Sequence, residues 1–309
     1  MLGEVMWTET DIPDQRGRVA VVTGANTGLG YETARALAAR GAAVVLACRS
    51  TGKAESAARR IAAAVPGAVV ETVRLDLSSL TSVRAAADDI RRRYRRIDLL
   101  INNAGVTGLH GRTGDGAEIQ FGVNHLGHFA LTGLVLDLLV PDARIVTVSS
   151  IGHRFGRMNR DGMPCGTSTY ADSKLANLLF TYELDRRLRA VHRPVAALAA
   201  HPGGATTEVF RYSPPWFRIP NVAVAKLFGR TPAMGALPTL RAATDPAARG
   251  GEYYGPAGLF EIRGFPAVAK SATRSHDPHL QATLWATSEK MTAVRYLGQP
   301  KHPEPRPNS

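Results

Sequence analysis

Residues 19–30 read VAVVTGANTGLG, and this stretch decides the fold. An apolar run of strand length leads into a turn with glycines at 24, 28 and 30, and the Ala-rich segment 31–40 that follows has a helical composition. Glycines let a main chain approach a pyrophosphate closely, and the first N–H groups of a helix attract anions. The stretch therefore predicts a dinucleotide-binding turn, with a tight strand–helix turn that binds no ligand as the alternative.

The same alternation of short apolar runs with longer Ala- and Arg-rich segments continues to about residue 200. Strands buried on both faces between helices have this pattern, and right-handed crossovers then place them in parallel. We expect an α/β fold, a Rossmann-type doubly wound parallel sheet of about seven strands with helices on both faces, in a single domain. The predicted strands are 19–23, 43–47, 69–75, 99–102, 144–148 and 195–199, with a seventh near 251–254.

Length and composition place the chain among ordinary globular proteins, with 309 residues of which 44% are hydrophobic and 21% charged. Two cysteines do not suggest a disulfide framework, and no apolar stretch reaches about 18 residues. We therefore expect a soluble, cytoplasmic protein. A single folded domain is predicted at 17–290, after an N-terminal extension at 1–16 and before a flexible Pro-rich tail at 291–309.

The net charge of +12 raises the question of an anionic partner, and the densest basic run is at 91–96. That run ends a predicted helix, where cations face the negative end of the helix dipole, so we interpret it as a solvated helix end. No nucleic-acid recognition motif accompanies it, and we expect no nucleic-acid partner. His125 and His128 are three apart but lack a second pair of ligands, so no metal site is predicted.

The second strand ends in LACRS at 46–50, about 20 residues after the glycine turn. A dinucleotide fold that prefers NAD carries a carboxylate there, on the adenosine ribose. Here Arg49 supplies a planar cation suited to a phosphate, and Ser50 and Lys53 are close in sequence. The segment favours NADP(H) over NAD(H), although an exposed charge at a strand end is the alternative for Arg49.

Tyr170 and Lys174 are four residues apart at the start of a predicted helix, so they share one face. A nearby ammonium would stabilise the phenolate of a tyrosine, whose ordinary pKa is about 10. Ser149 and Ser150 follow the strand at 144–148, at the sheet edge where such folds bind ligands. The spacing predicts an acid–base site, although Tyr-x3-Lys also occurs by chance and the two serines are equivalent by position.

These segments, taken in order, resemble the short-chain dehydrogenase/reductase family over residues 17–290. The branch with the best resemblance contains retinol dehydrogenases and WW-domain-containing oxidoreductase. The matching segments are the glycine turn at 24–30, Asp76-Leu77, Asn103-Ala104-Gly105, Asn124, Ser150, Tyr170-x3-Lys174 and His201-Pro202-Gly203.

The resemblance implies hydride transfer between a nicotinamide cofactor and a carbonyl or alcohol carbon. It implies that Tyr170 is the general acid in reduction and the base in oxidation, that Lys174 holds the nicotinamide ribose and lowers the tyrosine pKa, and that Ser150 binds the reacting oxygen. Asn124 would hold a backbone kink and a water. The cofactor contacts it implies are Gly24, Asn26, Thr27, Gly28, Leu29, Gly30, Arg49, Ser50, Asp76, Leu77, Asn103, Ala104, Gly105, Tyr170, Lys174, Pro202, Gly203 and Thr207.

The substrate side is predicted from the aromatic segment FRYSPPWF at 210–217. In the family, the region equivalent to 205–232 covers the substrate, so we expect a lipophilic retinoid-, steroid-, aldehyde- or ketone-like compound. A Pro-rich connection packed on the core is the alternative. The resemblance leaves open a homo-oligomer or a monomer, and peripheral contact with a membrane.

Two departures from the family pattern stand out. The segment 151–169 between Ser150 and Tyr170 is longer than usual, and residues 25–27 of the glycine turn lack the basic residue that NADP-preferring relatives carry. Use of NAD(H) therefore stays open. The competing function is a catalytically silent NADP(H)-binding sensor or scaffold, against which the retained Asn124, Ser150, Tyr170 and Lys174 argue.

Overall fold

One sheet organises the chain, of which the computed structural model describes residues 6–203 and 231–296. Its strands in those ranges are β1 Val19–Thr23, β2 Ala43–Cys48, β3 Val70–Arg74, β4 Ile97–Asn102, β5 Leu139–Val148, β6 Val195–Ala200, β7 Tyr253–Pro256 and β8 Pro266–Val268. They lie in the order β3-β2-β1-β4-β5-β6-β7-β8. All neighbours are parallel except β8, which is antiparallel to β7.

The predicted doubly wound sheet is confirmed, and seven of its strands overlap the predicted segments. The eighth described strand, β8, was not predicted from the sequence. It has three residues, begins with a proline and carries Val268 with 59% of its surface exposed, so it offers no apolar run. An edge strand needs little burial, which explains why hydrophobic patterning does not detect it.

Helices cover both faces of the sheet. In the described ranges they are α1 Gly28–Ala39, α2 Thr51–Ala64, α3 Leu80–Arg93, α4 Ile119–Phe121, α5 Gly127–Leu134, α6 Thr169–Ala190, α7 Pro232–Thr244 and α8 Pro278–Thr292. Ser168 caps α6, because its side chain accepts a hydrogen bond from the backbone N–H of Ala171. None of these helices combines the length and hydrophobicity needed to cross a membrane.

The core has two halves because successive side chains of a strand point to opposite faces of the sheet. On one face Val22 packs in a cluster with Leu37 of α1, and on the other Val21 packs in a cluster with Ile90 of α3. All four side chains are fully buried. Burial of each such side chain contributes roughly 1.5–3 kcal/mol, so the central strands hold the loops at their ends firmly.

Both ends of the described chain pack on this core. Tyr296 is buried, its ring centroid lies 4.8 Å from that of Phe129, and its hydroxyl donates to the Phe129 carbonyl. The folded chain therefore continues beyond the domain boundary predicted at 290, and residues 297–309 of the predicted tail lie outside the described residues. Within the predicted N-terminal extension, Trp7 and Ile12 are buried.

The basic run at 91–96 lies at the end of α3, as the helix-end interpretation requires. Arg91 forms an ion pair with Asp137, and Arg93 lies 2.7 Å from Asp89 one helical turn earlier. Arg96 pairs with Asp98 in the same way. The fold thus supplies carboxylates for these cations.

Candidate active site

Four of the predicted site segments meet at one edge of the sheet. The glycine turn follows β1, Asn103-Ala104-Gly105 follows β4, Ser149-Ser150 follows β5 and His201-Pro202-Gly203 follows β6. These four strands are consecutive neighbours in the sheet. The strand order reverses between β1 and β4, which opens a crevice at the carboxyl ends of the strands, where α/β folds bind ligands.

The glycine turn has the close packing that its glycines predict. Gly24 has φ +65°, in the region that favours glycine, and a Cβ there would lie 2.9 Å from the Ala104 Cβ. At Gly30 a Cβ would lie 2.5 Å from the Asn103 Nδ2 atom and 2.6 Å from the Gly24 carbonyl oxygen. Leu29 and Gly30 are in the first turn of α1, so that turn rests directly on the loop after β4.

Cys48, at the end of β2, lies next to the glycine turn. The Gly24 N–H donates to the carbonyl oxygen of Ala47, the residue before Cys48, at 2.8 Å. Burial raises the pKa of the Cys48 thiol to about 11, and the nearby backbone of residues 24–26 offsets this rise only in part. The residue therefore stays a neutral thiol near pH 7. Arg49 is the next residue, so the contact between Gly24 and Ala47 brings it close to the turn. The spacing of residues in the sequence does not indicate the contact.

Thr23 joins the glycine turn to the loop after β4. Its Oγ1 accepts hydrogen bonds from the backbone N–H groups of Asn103 at 2.9 Å and Ala104 at 3.0 Å. It also lies 2.9 Å from the His128 Nε2, while the His128 Nδ1 lies 3.0 Å from the Asn124 carbonyl oxygen. Burial lowers the pKa of His128 to about 4, so the ring is neutral, donates from Nδ1 and accepts at Nε2.

Asn124 lies in a π-helical turn, Gly122–Leu126, which is the backbone irregularity expected at this position. Its side chain is fully buried, accepts from the Val106 N–H at 2.7 Å and donates to the Ser173 hydroxyl at 2.9 Å. A Cβ on Gly105 would lie 3.4 Å from the Lys174 Nζ and 3.5 Å from the Asn124 Oδ1. The amine and the amide therefore face the same glycine.

The structure separates the two adjacent serines. Ser149 is buried and its hydroxyl donates to the Lys174 carbonyl oxygen at 2.8 Å, so it is part of the packing between β5 and α6. Ser150 is only partly buried and accepts from the Gly152 N–H at 3.1 Å, and a Cβ on Gly152 would lie 3.4 Å from the Ser150 Oγ and 3.7 Å from the Cε1 atom of Tyr170. Ser150 is thus the serine that lies beside Tyr170.

Lys174 and Tyr170 share the expected helix face, but their electrostatics differ from the expectation. Burial lowers the pKa of Lys174 to about 8, and its Nζ donates to the Val148 carbonyl oxygen at 2.9 Å. Burial raises the pKa of Tyr170, and the nearby Ser150 hydroxyl offsets this rise only in part. The net direction is upward, opposite to the expected lowering, because desolvation disfavours the phenolate and the amine lies 5.7 Å from the ring centroid.

The predicted adenosine-side residues follow β2 and β3, at the same edge of the sheet as the glycine turn. Arg49 and Ser50 are exposed, and the Ser50 side chain makes no cap hydrogen bond to α2. Asp76 accepts from the Ser78 backbone N–H at 3.0 Å and from its hydroxyl at 2.6 Å. Leu77 is buried next to α5.

On the opposite side, Gly203 follows β6 with φ +70°, and its N–H donates to the His201 Nδ1 at 3.3 Å. The His201 Nε2 lies 3.2 Å from a Glu261 carboxylate oxygen, and the other oxygen of Glu261 lies 2.7 Å from Arg154. His201, first of all, and Arg154 lower the pKa of Glu261. Glu261, which the sequence analysis did not single out, therefore joins the segments after β5 and β6.

Part of the predicted site lies outside the described residues. Thr207, the aromatic segment 210–217 and the predicted substrate cover as far as residue 230 are outside the described residues. Within 6–203 and 231–296, no three His, Cys, Asp or Glu side chains are grouped so that they could hold a metal ion. His125 instead packs among aromatic rings, 5.1 Å from that of Phe121.

The sheet order, the glycine turn at the carboxyl edge and the Ser–Tyr–Lys group define a class, that of Rossmann-type dinucleotide oxidoreductases. The sequence profile described as short chain dehydrogenase matches residues 18–217. The chain therefore belongs to the short chain dehydrogenase family, and it is an oxidoreductase that acts on alcohol or carbonyl groups with a nicotinamide cofactor.

Individual proteins agree with this assignment. The chain is 46% identical to retinol dehydrogenase 12 of Mus musculus over 219 residues, 68% of each chain. A crystal structure of a putative uncharacterized protein from Mycobacterium Paratuberculosis superposes with a TM-score of 0.78 at 41% identity, covering 95% of this chain and all of the other. A Pseudomonas aeruginosa RhlG/NADP active-site complex is 25% identical with a TM-score of 0.61, covering 77% and 94%. The predicted retinol dehydrogenase-like branch is confirmed.

Proposed function

We propose that this protein is an NADP(H)-dependent oxidoreductase for a lipophilic carbonyl or alcohol, with Tyr170 as its general acid and base. The observation that carries the proposal is the grouping of three side chains: the Ser150 hydroxyl and the Tyr170 ring both lie next to Gly152, and the Lys174 amine lies 5.7 Å from the Tyr170 ring centroid. A catalytically silent sensor or scaffold would not need these three side chains to lie together.

The residues at the sheet edge fit a dinucleotide. Gly24 and Gly30 leave the turn without side chains where a Cβ would meet Ala104 and Asn103, and α1 begins at Gly28 within this turn. Glycine turns of this kind hold a pyrophosphate, and Lys174 with Asn124 faces Gly105 on the nicotinamide side. When bound, the nicotinamide group supplies hydride in reduction and accepts it in oxidation.

Protons are handled by the protein's own side chains. In reduction the Tyr170 hydroxyl gives its proton to the substrate oxygen, and in oxidation the phenolate takes it back. The Ser150 Oγ accepts a hydrogen bond from the Gly152 N–H. Its own proton is therefore directed toward a neighbouring oxygen atom, which is the substrate oxygen when substrate is bound. The Lys174 ammonium, with a pKa of about 8, is mainly charged at pH 7 and stabilises the phenolate as it forms.

The preference for NADP(H) rests on Arg49, which is exposed beside the glycine turn where NAD-binding folds carry a carboxylate. The lipophilic substrate rests on the similarity to a retinol dehydrogenase and on aromatic side chains next to the site. Phe155 ends the turn that follows Ser150, Phe260 precedes Glu261, and each is 75% exposed. An apolar ligand would cover such side chains.

Tyr170→Phe tests the proposal directly. We expect kcat for NADPH-dependent carbonyl reduction to fall by at least about 100-fold, because the proton donor is lost, while NADPH affinity changes little. Tyr182→Phe is the matched control, since the Tyr182 hydroxyl bonds Ser271 away from the site. Turnover by Tyr170→Phe at the level of Tyr182→Phe would contradict the assignment.

A second experiment addresses cofactor and substrate. Titration with NADPH and NADH, followed by fluorescence, should give the lower Kd for NADPH. Retinoid, steroid, quinone and short aliphatic carbonyls are then compared at saturating cofactor, and the proposal requires that the lipophilic compounds have the higher kcat/KM. Tighter binding of NADH would reject the assignment of Arg49.

A further inference from the structure

Arg60 lies in α2, 34 residues after Asn26 of the glycine turn, yet it contacts that turn. Its Nη2 donates to the Asn26 carbonyl oxygen at 3.2 Å, and its guanidinium carbon lies 4.3 Å from the ring centroid of Tyr31 in α1. We infer that Arg60, together with Arg49, recognises the 2′-phosphate of NADP(H) and determines the preference over NAD(H). This inference rests on the proposed function and deepens it.

The first argument is the availability of charge. Arg60 is exposed, and no carboxylate of the described residues lies within ion-pair distance of it, whereas Arg35 of α1 pairs with Glu9 at 2.6 Å and with Glu32. A guanidinium has five N–H donors, and the Asn26 carbonyl uses one nitrogen of Arg60. Donors and an unneutralised charge therefore remain for an anion.

The second argument is position. The Gly24 N–H donates to the Ala47 carbonyl oxygen at 2.8 Å, so the turn lies against the end of β2, and Arg49 follows β2 directly. Arg60 reaches the same turn from α2 and bonds the carbonyl side of Asn26. Arg49 and Arg60 therefore come from two elements that both lie against this turn, and a doubly charged phosphate ester can accept charge-assisted hydrogen bonds from both.

The third argument is what the turn lacks. Residues 25–27 are Ala-Asn-Thr and contain no cation, so a phosphate beside the turn has to find its second positive group elsewhere. Stacking on Tyr31 and the bond to Asn26 hold the Arg60 guanidinium at that place before any ligand arrives. A cation fixed in advance loses little conformational freedom on binding, which favours affinity.

The test compares the full-length protein with Arg60→Met, Arg60→Lys, Arg49→Met and Arg59→Met by fluorescence titration with NADPH and NADH, and by competition with 2′,5′-ADP. Arg59→Met is the matched control, because Arg59 is the adjacent exposed arginine of α2 and forms no ion pair with the described residues. We expect Arg60→Met to weaken NADPH binding roughly 10- to 100-fold, with NADH changed less than about twofold.

Arg60→Lys should keep part of the NADPH preference, and Arg59→Met should keep all of it. Equal weakening of NADPH and NADH by Arg60→Met would mean that Arg60 only braces the turn, and equal effects of Arg59→Met and Arg60→Met would mean a general charge effect; either overturns the inference. Preference for NADPH that is lost in Arg49→Met but intact in Arg60→Met also overturns it while the proposed function stands. Absence of NADPH preference in the unaltered protein rejects the proposed cofactor itself.

Discussion

Asn124→Ala is the change whose consequence can be worked out most directly from the geometry. The fully buried amide makes three hydrogen bonds, accepting from the Val106 N–H at 2.7 Å and donating to the Val106 carbonyl and the Ser173 hydroxyl at 2.9 Å each. Each contributes roughly 0.5–1.5 kcal/mol net, so we expect the free energy of unfolding to fall by about 3 kcal/mol.

Urea unfolding followed by tryptophan fluorescence and circular dichroism measures this loss. With a slope of about 3 kcal/mol per M, the expected decrease moves the midpoint by about 1 M. Asn159→Ala is the control, because its side chain also accepts two backbone N–H groups, from Asp161 and Met163 at 2.9 Å, but at an exposed site where water replaces them. If both variants lost the same small amount of unfolding free energy, the assignment of buried hydrogen bonds to Asn124 would be refuted.

Three further predictions concern the site and the core. Gly30→Ala should weaken NADPH binding at least about tenfold, since its Cβ would overlap Asn103. Gly52→Ala should leave NADPH binding unchanged, because there is open space around Gly52, and equal Kd values for the two variants in titration would contradict this. NADPH affinity should decline above about pH 8, where Lys174 loses its proton, and Lys174→Met should remove that pH dependence. A chain ended after residue 290 should lose several kcal/mol in urea unfolding, and one ended after 296 should not, because Tyr296 is buried; equal stability would refute this.

Much of the fold is predictable because its signals are local. The apolar runs at 19–23 and 195–199 coincide with β1 and β6 within one residue, since strands buried on both faces must be apolar throughout. Strand β5 begins five residues before its predicted start. Its first half contains Pro141 and Asp142, and only pairing with β4 and β6 makes it a strand.

The candidate site was also only partly predictable from the sequence. Tyr170 and Lys174 are one helical turn apart, so helix geometry alone places them together. Position along the chain left Ser149 and Ser150 equivalent, and only the family resemblance favoured Ser150, because the choice depends on which hydroxyl lies near Tyr170 and which bonds the Lys174 carbonyl. Glu261 was missed because it contacts Arg154 across 107 residues.

The sequence by itself therefore determined the parallel sheet and the glycine turn and indicated a candidate set of reacting side chains, because periodicity and motif spacing are properties of neighbouring residues. Only the tertiary structure decided how these parts support one another: the Cys48 thiol next to the turn, the Arg60 guanidinium against Asn26 and the upward shift of the Tyr170 pKa. Each of these depends on packing and desolvation between segments distant in sequence, which leave no periodic trace in the chain.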